Sequence, residues 1–187
     1  MINTNEFKTG VTIAFDGNIY EVLEFQHVKP GKGGAFVQSK LKNLRTGATI
    51  SYTFNAGVKI DTAEIRKVPM SYIYDNGDNA VFMDNETYEQ VEMPKTQIAY
   101  ELQFLTLGGS ALVRFYENEV LGVILPDKMV LEVTDTPPGE KGNSATNTQK
   151  EATLETGIKI RVPMFINNGE KIVVNTTTGK YDSRAKE

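Results

Sequence analysis

The chain has 187 residues, 40% of them apolar, and a net charge of −4 from 20 basic and 24 acidic side chains. It has no cysteine and a single histidine, His27, which excludes disulfides, thiolate metal sites, cysteine nucleophiles and any mechanism needing two imidazoles. No apolar run approaches the ~18 residues of a membrane span and MINTNEFKTG lacks a signal-like apolar stretch, so a cytoplasmic protein without membrane partners, metal or cofactor is expected.

The hydrophobic pattern is almost all of period two, which predicts an all-β chain with little helix. Val11, Ile13 and Phe15 alternate, Asp16-Gly17-Asn18 supplies a turn, and Ile19 to Phe25 resumes as a strand. The run FVQSKLK places Val37, Ser39 and Leu41 on one face, with Phe36, Gln38, Lys40 and Lys42 on the other. Thr46-Gly47 turns the chain into a returning strand of Ile50, Tyr52 and Phe54. Pro69 cannot donate to a ladder, so it is expected to begin an element and not to sit inside a central strand. Strands follow at Met70 to Tyr74, Ala80 to Met83, Tyr88 to Val91, Leu112 to Tyr116 and Val120 to Leu125. Between them, Ile98, Leu102 and Leu105 have helical spacing over two to three turns. A third set takes Val130 to Val133, Ile158 to Ile166 and Ile172 to Thr176. Many short strands between regular turns read as small barrels, the last two thirds as two barrels of similar design. The domains predicted are residues 1–64, 65–128 and 129–187, each near sixty residues. Barrels that small bury only about 60% of their unfolded surface, so shared apolar contacts between neighbours are expected.

The charge is unevenly spread. The three segments carry +1, −5 and 0, and the span from Phe25 to Ile60 has six basic residues and no acidic one. That acid-free stretch contains Lys29-Pro30-Gly31-Lys32-Gly33-Gly34-Ala35-Phe36 between two strands. Proline sets the entry to the loop and the glycines allow close approach of another backbone, leaving Lys32 at an exposed tip. It is not a P-loop, because Gln26 stands at the first glycine position and Gly33 at the metal-binding hydroxyl. By these features alone a solvated hairpin lysine and a phosphate contact both remain open.

The segment Pro30-Gly31-Lys32-Gly33 with Ala35-Phe36 resembles the lysine-bearing tip loop of the bacterial translation elongation factor P family. Ser71-Tyr72-Ile73-Tyr74 and FMDNETYEQ, Phe82 to Gln90, look like that family's middle domain. Lys150 to Arg184, with VPMFINNGEKIVVNTTTGKYDSR, looks like its C-terminal signature. The resemblance is collinear over essentially the whole chain. It implies an SH3-like (KOW-like) domain followed by two OB-fold domains in an elongated, L-shaped, tRNA-like arrangement. It also implies a monomer that binds both ribosomal subunits between the peptidyl-tRNA and exit sites and relieves stalling at consecutive prolines. Lys32, in many members extended by a lysine-modifying enzyme, would reach the acceptor end of peptidyl-tRNA. Lys29, Pro30, Gly31, Gly33 and Gly34 would form its tip loop, and Lys40, Lys42 and Arg45 would meet RNA phosphates. Tyr181 and Arg184 match residues tied to small-subunit and exit-site function. Gly142, Asn143, Ser144 and Asn147 lie in the loop matching one near the exit-site codon, where this chain departs from a glycine-richer pattern; Asn175 likewise replaces a common acidic residue.

Two other readings have specific requirements. A single-strand nucleic-acid binder on OB folds needs aromatics beside basic grooves, whereas Tyr72, Tyr74, Phe82 and Tyr88 lie among acids. An enzyme with Lys32 as a Schiff-base nucleophile needs a desolvated amine, whereas a glycine-flanked tip is wet. Neither is supported, and no catalytic residue is expected.

Overall fold

The alternating patterns do become strands. A computed structural model describes residues 1–139 and 149–186. The loop residues Gly142, Asn143, Ser144 and Asn147 lie outside the described residues. The first sheet contains β1 (Ile2–Asn3), β2 (Thr12–Phe15), β3 (Asn18–Val28), β4 (Phe36–Asn43), β5 (Thr49–Asn55) and β6 (Lys59–Thr62). Their order is β1-β6-β2-β3-β4-β5, with antiparallel pairing throughout. Its core is the inward set: Ile13, Val22, Val37 and Leu41 are fully buried, and Phe7 meets Phe54 edge-on at 5.5 Å. The alternation on β4 is as read, with Val37, Ser39 and Leu41 buried and Gln38 and Lys40 exposed. On β5 only Phe54 follows it inward; Ile50 and Tyr52 stay substantially exposed because β5 is a sheet edge.

The second sheet holds β7 (Ile65–Asp75), β8 (Asn79–Met83), β9 (Gln90–Pro94), β10 (Ser110–Tyr116) and β11 (Glu119–Ile124), ordered β11-β10-β7-β8-β9. The third holds β12 (Lys128–Asp135), β13 (Gln149–Leu154), β14 (Lys159–Pro163), β15 (Lys171–Asn175) and β16 (Lys180–Arg184), ordered β14-β13-β12-β15-β16. Both orders are the same: the first strand of each five is central, the next two lie on one side and the last two on the other. That is the strand order of an OB-type barrel, and it bears out two domains of one design despite the lack of a sequence repeat.

Several elements differ from the sequence reading. Pro69 does lie within a central strand, β7, but the ladder to β8 begins only at Ser71, so that ladder loses no donor. Tyr88 is not in a strand. It sits in the turn before β9 with φ +62°, the turn being held by Asp84, whose carboxylate accepts from the Glu86 backbone N–H at 2.8 Å and whose carbonyl accepts from that of Tyr88. The helical spacing of Ile98 yields only a 3-10 turn, Lys95–Ile98, and the four-residue α1 (Ala99–Leu102). Strands β6, β13 and β16 were not legible, being short and interrupted by polar residues.

By contacts the chain forms two compact units, residues 1–67 with 114–122, and residues 68–113 with 123–187. In the first, Leu121 is buried with Ile19, Leu44 and Ala63. In the second, Phe104 is fully buried among Leu131, Val133, Leu154, Val162 and Ile172 of the third sheet. Tyr100 Oη donates to the Thr176 carbonyl and Thr156 Oγ1 to the Gln103 carbonyl, each at 2.5 Å, tying the α1 segment to that core. Residues of the middle third thus contribute to a core in each unit, Leu121 in the first and Phe104 in the second.

Candidate functional site

The lysine loop is the tip of the longest hairpin in the first sheet. β3 and β4 pair from Tyr20↔Asn43 out to Val28↔Phe36, with a bulge between Val22 and Glu24 that adds twist. Residues 29–35 close the hairpin, and Lys29 through Gly34 are all exposed. Gly33 has φ +102°, a conformation that a side chain would strain, so glycine there is required by the turn itself. A Cβ built on Gly31, Gly33 or Gly34 would meet nothing within 4 Å, which shows how open the surroundings of Lys32 are. Neither Lys29 nor Lys32 enters an ion pair among the described residues. The tip therefore presents two solvated ammonium groups on a backbone with little side-chain bulk.

Behind the tip the expected phosphate contacts divide. Lys40 points outward and pairs with Glu24 across the strand at 3.2 Å, both side chains being more than half exposed. Such a pair is worth little and exchanges readily. Lys42 is half-buried opposite Glu21 and Thr49. Arg45 has a structural task. The Asn43 side chain accepts from the backbone N–H groups of Arg45 and Thr46 at 2.9 and 3.2 Å and so fixes the turn. The guanidinium then donates to both Glu119 carboxylate oxygens at 2.8 and 3.0 Å, and to the Gly17 carbonyl at 2.9 Å. The Glu119 hydrogen bonds raise its already high pKa further. Nε, Nη1 and Nη2 each donate one hydrogen bond, so Arg45 is held against Glu119 and Gly17; sequence could not show this because Glu119 is 74 positions away.

At the other end of the chain, Tyr181 and Arg184 lie on β16. Tyr181 pairs with Val174 and Arg184 with Ile172. Tyr181 packs on the third core, and this burial pushes its phenol pKa up. Arg184 is held by Glu170 at 3.1 and 3.2 Å and donates to the Phe165 carbonyl, with its guanidinium 4.6 Å from the Phe165 ring centroid. Phe165 itself is 55% exposed and was missed by the sequence reading; the only signal for it is an aromatic beside the turn-forming Asn167-Asn168-Gly169. Among the described residues no group of three or more His, Asp or Glu side chains could hold a metal.

Family models match the chain in three consecutive pieces. Residues 3–60 match the elongation factor P KOW-like domain, 65–123 its OB domain and 129–184 its C-terminal domain. Proteins described as elongation factor P from Phytoplasma australiense and from onion yellows phytoplasma (strain OY-M) are each 55% identical over 185 residues, covering 98% of both chains. The chain belongs to the elongation factor P family. Its fold also resembles a solved structure described as eukaryotic translation initiation factor 5A from Methanococcus jannaschii, at a TM-score of 0.53. That likeness covers 66% of this chain and 94% of the other at 23% identity, and so concerns fold alone. Within an elongation factor P, the Lys32 hairpin lies in the KOW-like domain, while Tyr181 and Arg184 lie in the C-terminal domain. Membership makes the chain a translation elongation factor. No described helix is long and apolar enough to cross a membrane.

Proposed function

We propose that this elongation factor binds the ribosome between the peptidyl-tRNA and exit sites and promotes peptide-bond formation at consecutive prolines, with Lys32 holding the acceptor end of the peptidyl-tRNA. The observation that supports this reading best is the tip itself: a lysine with no ion-pair partner among the described residues, on a glycine-flanked hairpin, in a chain collinear with the family over its length. Proline's locked φ makes near-attack geometry hard to reach, and misplacement by ~1 Å can cost on the order of a hundredfold in rate. A cation bound to the tRNA backbone narrows the ensemble without accepting or giving a proton. Lys32 therefore acts by position and charge, and the protein is not an enzyme in this reading.

Lys29, Lys40 and Lys42 supply further phosphate contacts, Lys40 by exchanging Glu24 for RNA, while Arg45 braces the turn. Tyr181 and Arg184 serve the small-subunit end. The remaining parts of the reading are domains at 1–64, 65–128 and 129–187, a cytoplasmic monomer, and a host enzyme that extends Lys32. Reconstituted translation of a template with three consecutive proline codons tests the core claim. The factor is expected to relieve the stall, Lys32→Ala to lose most of the relief, and proline-free templates to change little. Equal stimulation of all templates, or none on the proline run, overturns it. Intact mass of the protein from its native host shows whether Lys32 carries an added group.

A further inference from the structure

The lysine tip is carried at the end of a long arm. β3 has 11 residues, which at the strand rise is about 35 Å, and β4 pairs with it from Tyr20↔Asn43 to Val28↔Phe36. The base of this arm is met by residues of the second sheet. The Arg45 guanidinium, just after β4, donates to the Gly17 carbonyl, just before β3, at 2.9 Å. The same guanidinium donates to both carboxylate oxygens of Glu119, the first residue of β11, at 2.8 and 3.0 Å. Beside this fork the Leu44 N–H donates to the Ile19 carbonyl at 2.9 Å, and Ile19, Leu44 and Ala63 are buried with Leu121 of β11. Residues 114–122 accordingly group with residues 1–67 in one compact unit.

The two kinds of contact at the base do different things. Apolar burial is non-directional, and a small cluster that includes an alanine resists separation more than it resists rotation. A two-point bond between a planar guanidinium and a carboxylate fixes direction as well as distance. Arg45 also lies in the turn that the Asn43 side chain closes, so the fork is joined stiffly to the end of β4. Both charged side chains are partly solvated, and Glu119 therefore adds little to folding stability. What it adds is an angle. Rotation at the base is magnified along the arm, since about 2° moves a point ~35 Å away by ~1 Å. Misplacement on that scale can cost on the order of a hundredfold where a reaction depends on position.

We propose that Glu119 is a positioning residue for Lys32: by clasping Arg45 and, through it, Gly17, it fixes the direction in which the lysine hairpin leaves β11. The proposal rests on the reading of Lys32 as the group that holds the acceptor end, and adds how a solvated tip is aimed. Glu119 acts through Arg45 and contributes no affinity of its own. Lys32 supplies the charge, and the clasp supplies the orientation in which that charge is presented.

Two measurements on the full-length protein test it. In a weakly aligning medium, residual dipolar couplings of the β3–β4 amides and of the β10–β11 amides are expected to fit one alignment tensor in the wild type and to require two in Glu119→Ala. Glu119 is exposed, so this variant should fold, with the amide shifts of the third sheet unchanged. Translation of the three-proline template at rising factor concentration then separates aim from occupancy. Glu119→Ala is expected to lower the saturating rate on the order of tenfold, with the half-saturating concentration unchanged. A factor that is merely less stable would reach the wild-type rate once enough is added. Arg45→Glu should behave like Glu119→Ala, and Arg45→Glu combined with Glu119→Arg, which rebuilds the pair in reverse, should recover part of the rate and of the common tensor. A wild-type saturating rate in Glu119→Ala, a loss confined to half-saturation, one tensor in both proteins, or a reversed pair no better than the single variants overturns the proposal. If the wild-type factor relieves no stall, the elongation reading falls, while a tensor that divides only in Glu119→Ala still upholds the clasp.

Discussion

Tyr88 occupies a backbone conformation that glycine or asparagine would hold more easily. The other non-glycine residues at positive φ, Asp16 and Glu117, lie in the tight turns joining β2 to β3 and β10 to β11, whereas Tyr88 ends a wider turn with its ring 72% exposed. A left-handed residue of this kind costs of order 1 kcal/mol, and an exposed ring returns little packing. Tyr88→Asn is therefore expected to raise unfolding stability by about that amount, measured as a higher urea midpoint with an unchanged slope. Two carboxylates at this scale set a pH dependence. The hydrogen bond and charge of Lys95 lower the Asp75 pKa, and hydrogen bonds from Lys128 and Ser183 lower that of Asp182. A depressed folded pKa means that the pairing stabilises the fold above about pH 4 and is lost as pH falls through the lowered folded value. Lys95→Met and Lys128→Met should flatten the acid arm of a stability-versus-pH curve and leave its neutral and alkaline parts alike in shape.

At the scale of elements, strongly alternating strands were read more easily than their partners. β2, β3, β4 and β12 carry strong alternation, and their inward residues are buried as the pattern required. β13 and β16 carry weak alternation and are defined by pairing to β12, β14 and β15, which a local pattern cannot reveal. The α1 segment is the clearest case. Its helical spacing marks Ile98 and Leu105, but the decisive residue is Phe104, fully buried in the core of the third sheet. Phe104→Ala is expected to cost about 3–5 kcal/mol. Chemical denaturation would measure the loss, and amide shifts in β12 to β15 would show that it falls on the C-terminal core. A much smaller effect would mean that the α1 segment docks there only weakly. Arg45 teaches the same point from the charge side, since a residue that reads as a phosphate ligand is engaged by Glu119 and Gly17.

For the whole molecule, the net charge of −4 is a poor guide and its distribution a good one. With Arg45 engaged, four lysines near the tip, Lys29, Lys32, Lys40 and Lys42, remain to release counterions, so log affinity for ribosomes should fall with log salt with a slope of roughly −3. Lys29→Ala and Lys42→Ala should each flatten that slope by about 1, and Arg45→Ala should leave it unchanged while lowering thermal stability. A slope near zero, or an effect of Arg45→Ala equal to that of Lys29→Ala, would show that the tip is not where phosphate is met. What the sequence by itself determined is the class of the protein: all-β patterning, a missing catalytic inventory, an acid-free stretch and a lysine between glycines. These follow from residue types and near-neighbour spacing, which local chemistry controls. Only the tertiary structure decided which cations are free and which are engaged, where Phe104 is buried, and which residues meet at the base of the lysine hairpin. Each of those depends on residues distant in sequence being brought together by strand pairing, and register across a sheet is set by the packing of the whole domain and not by any single strand.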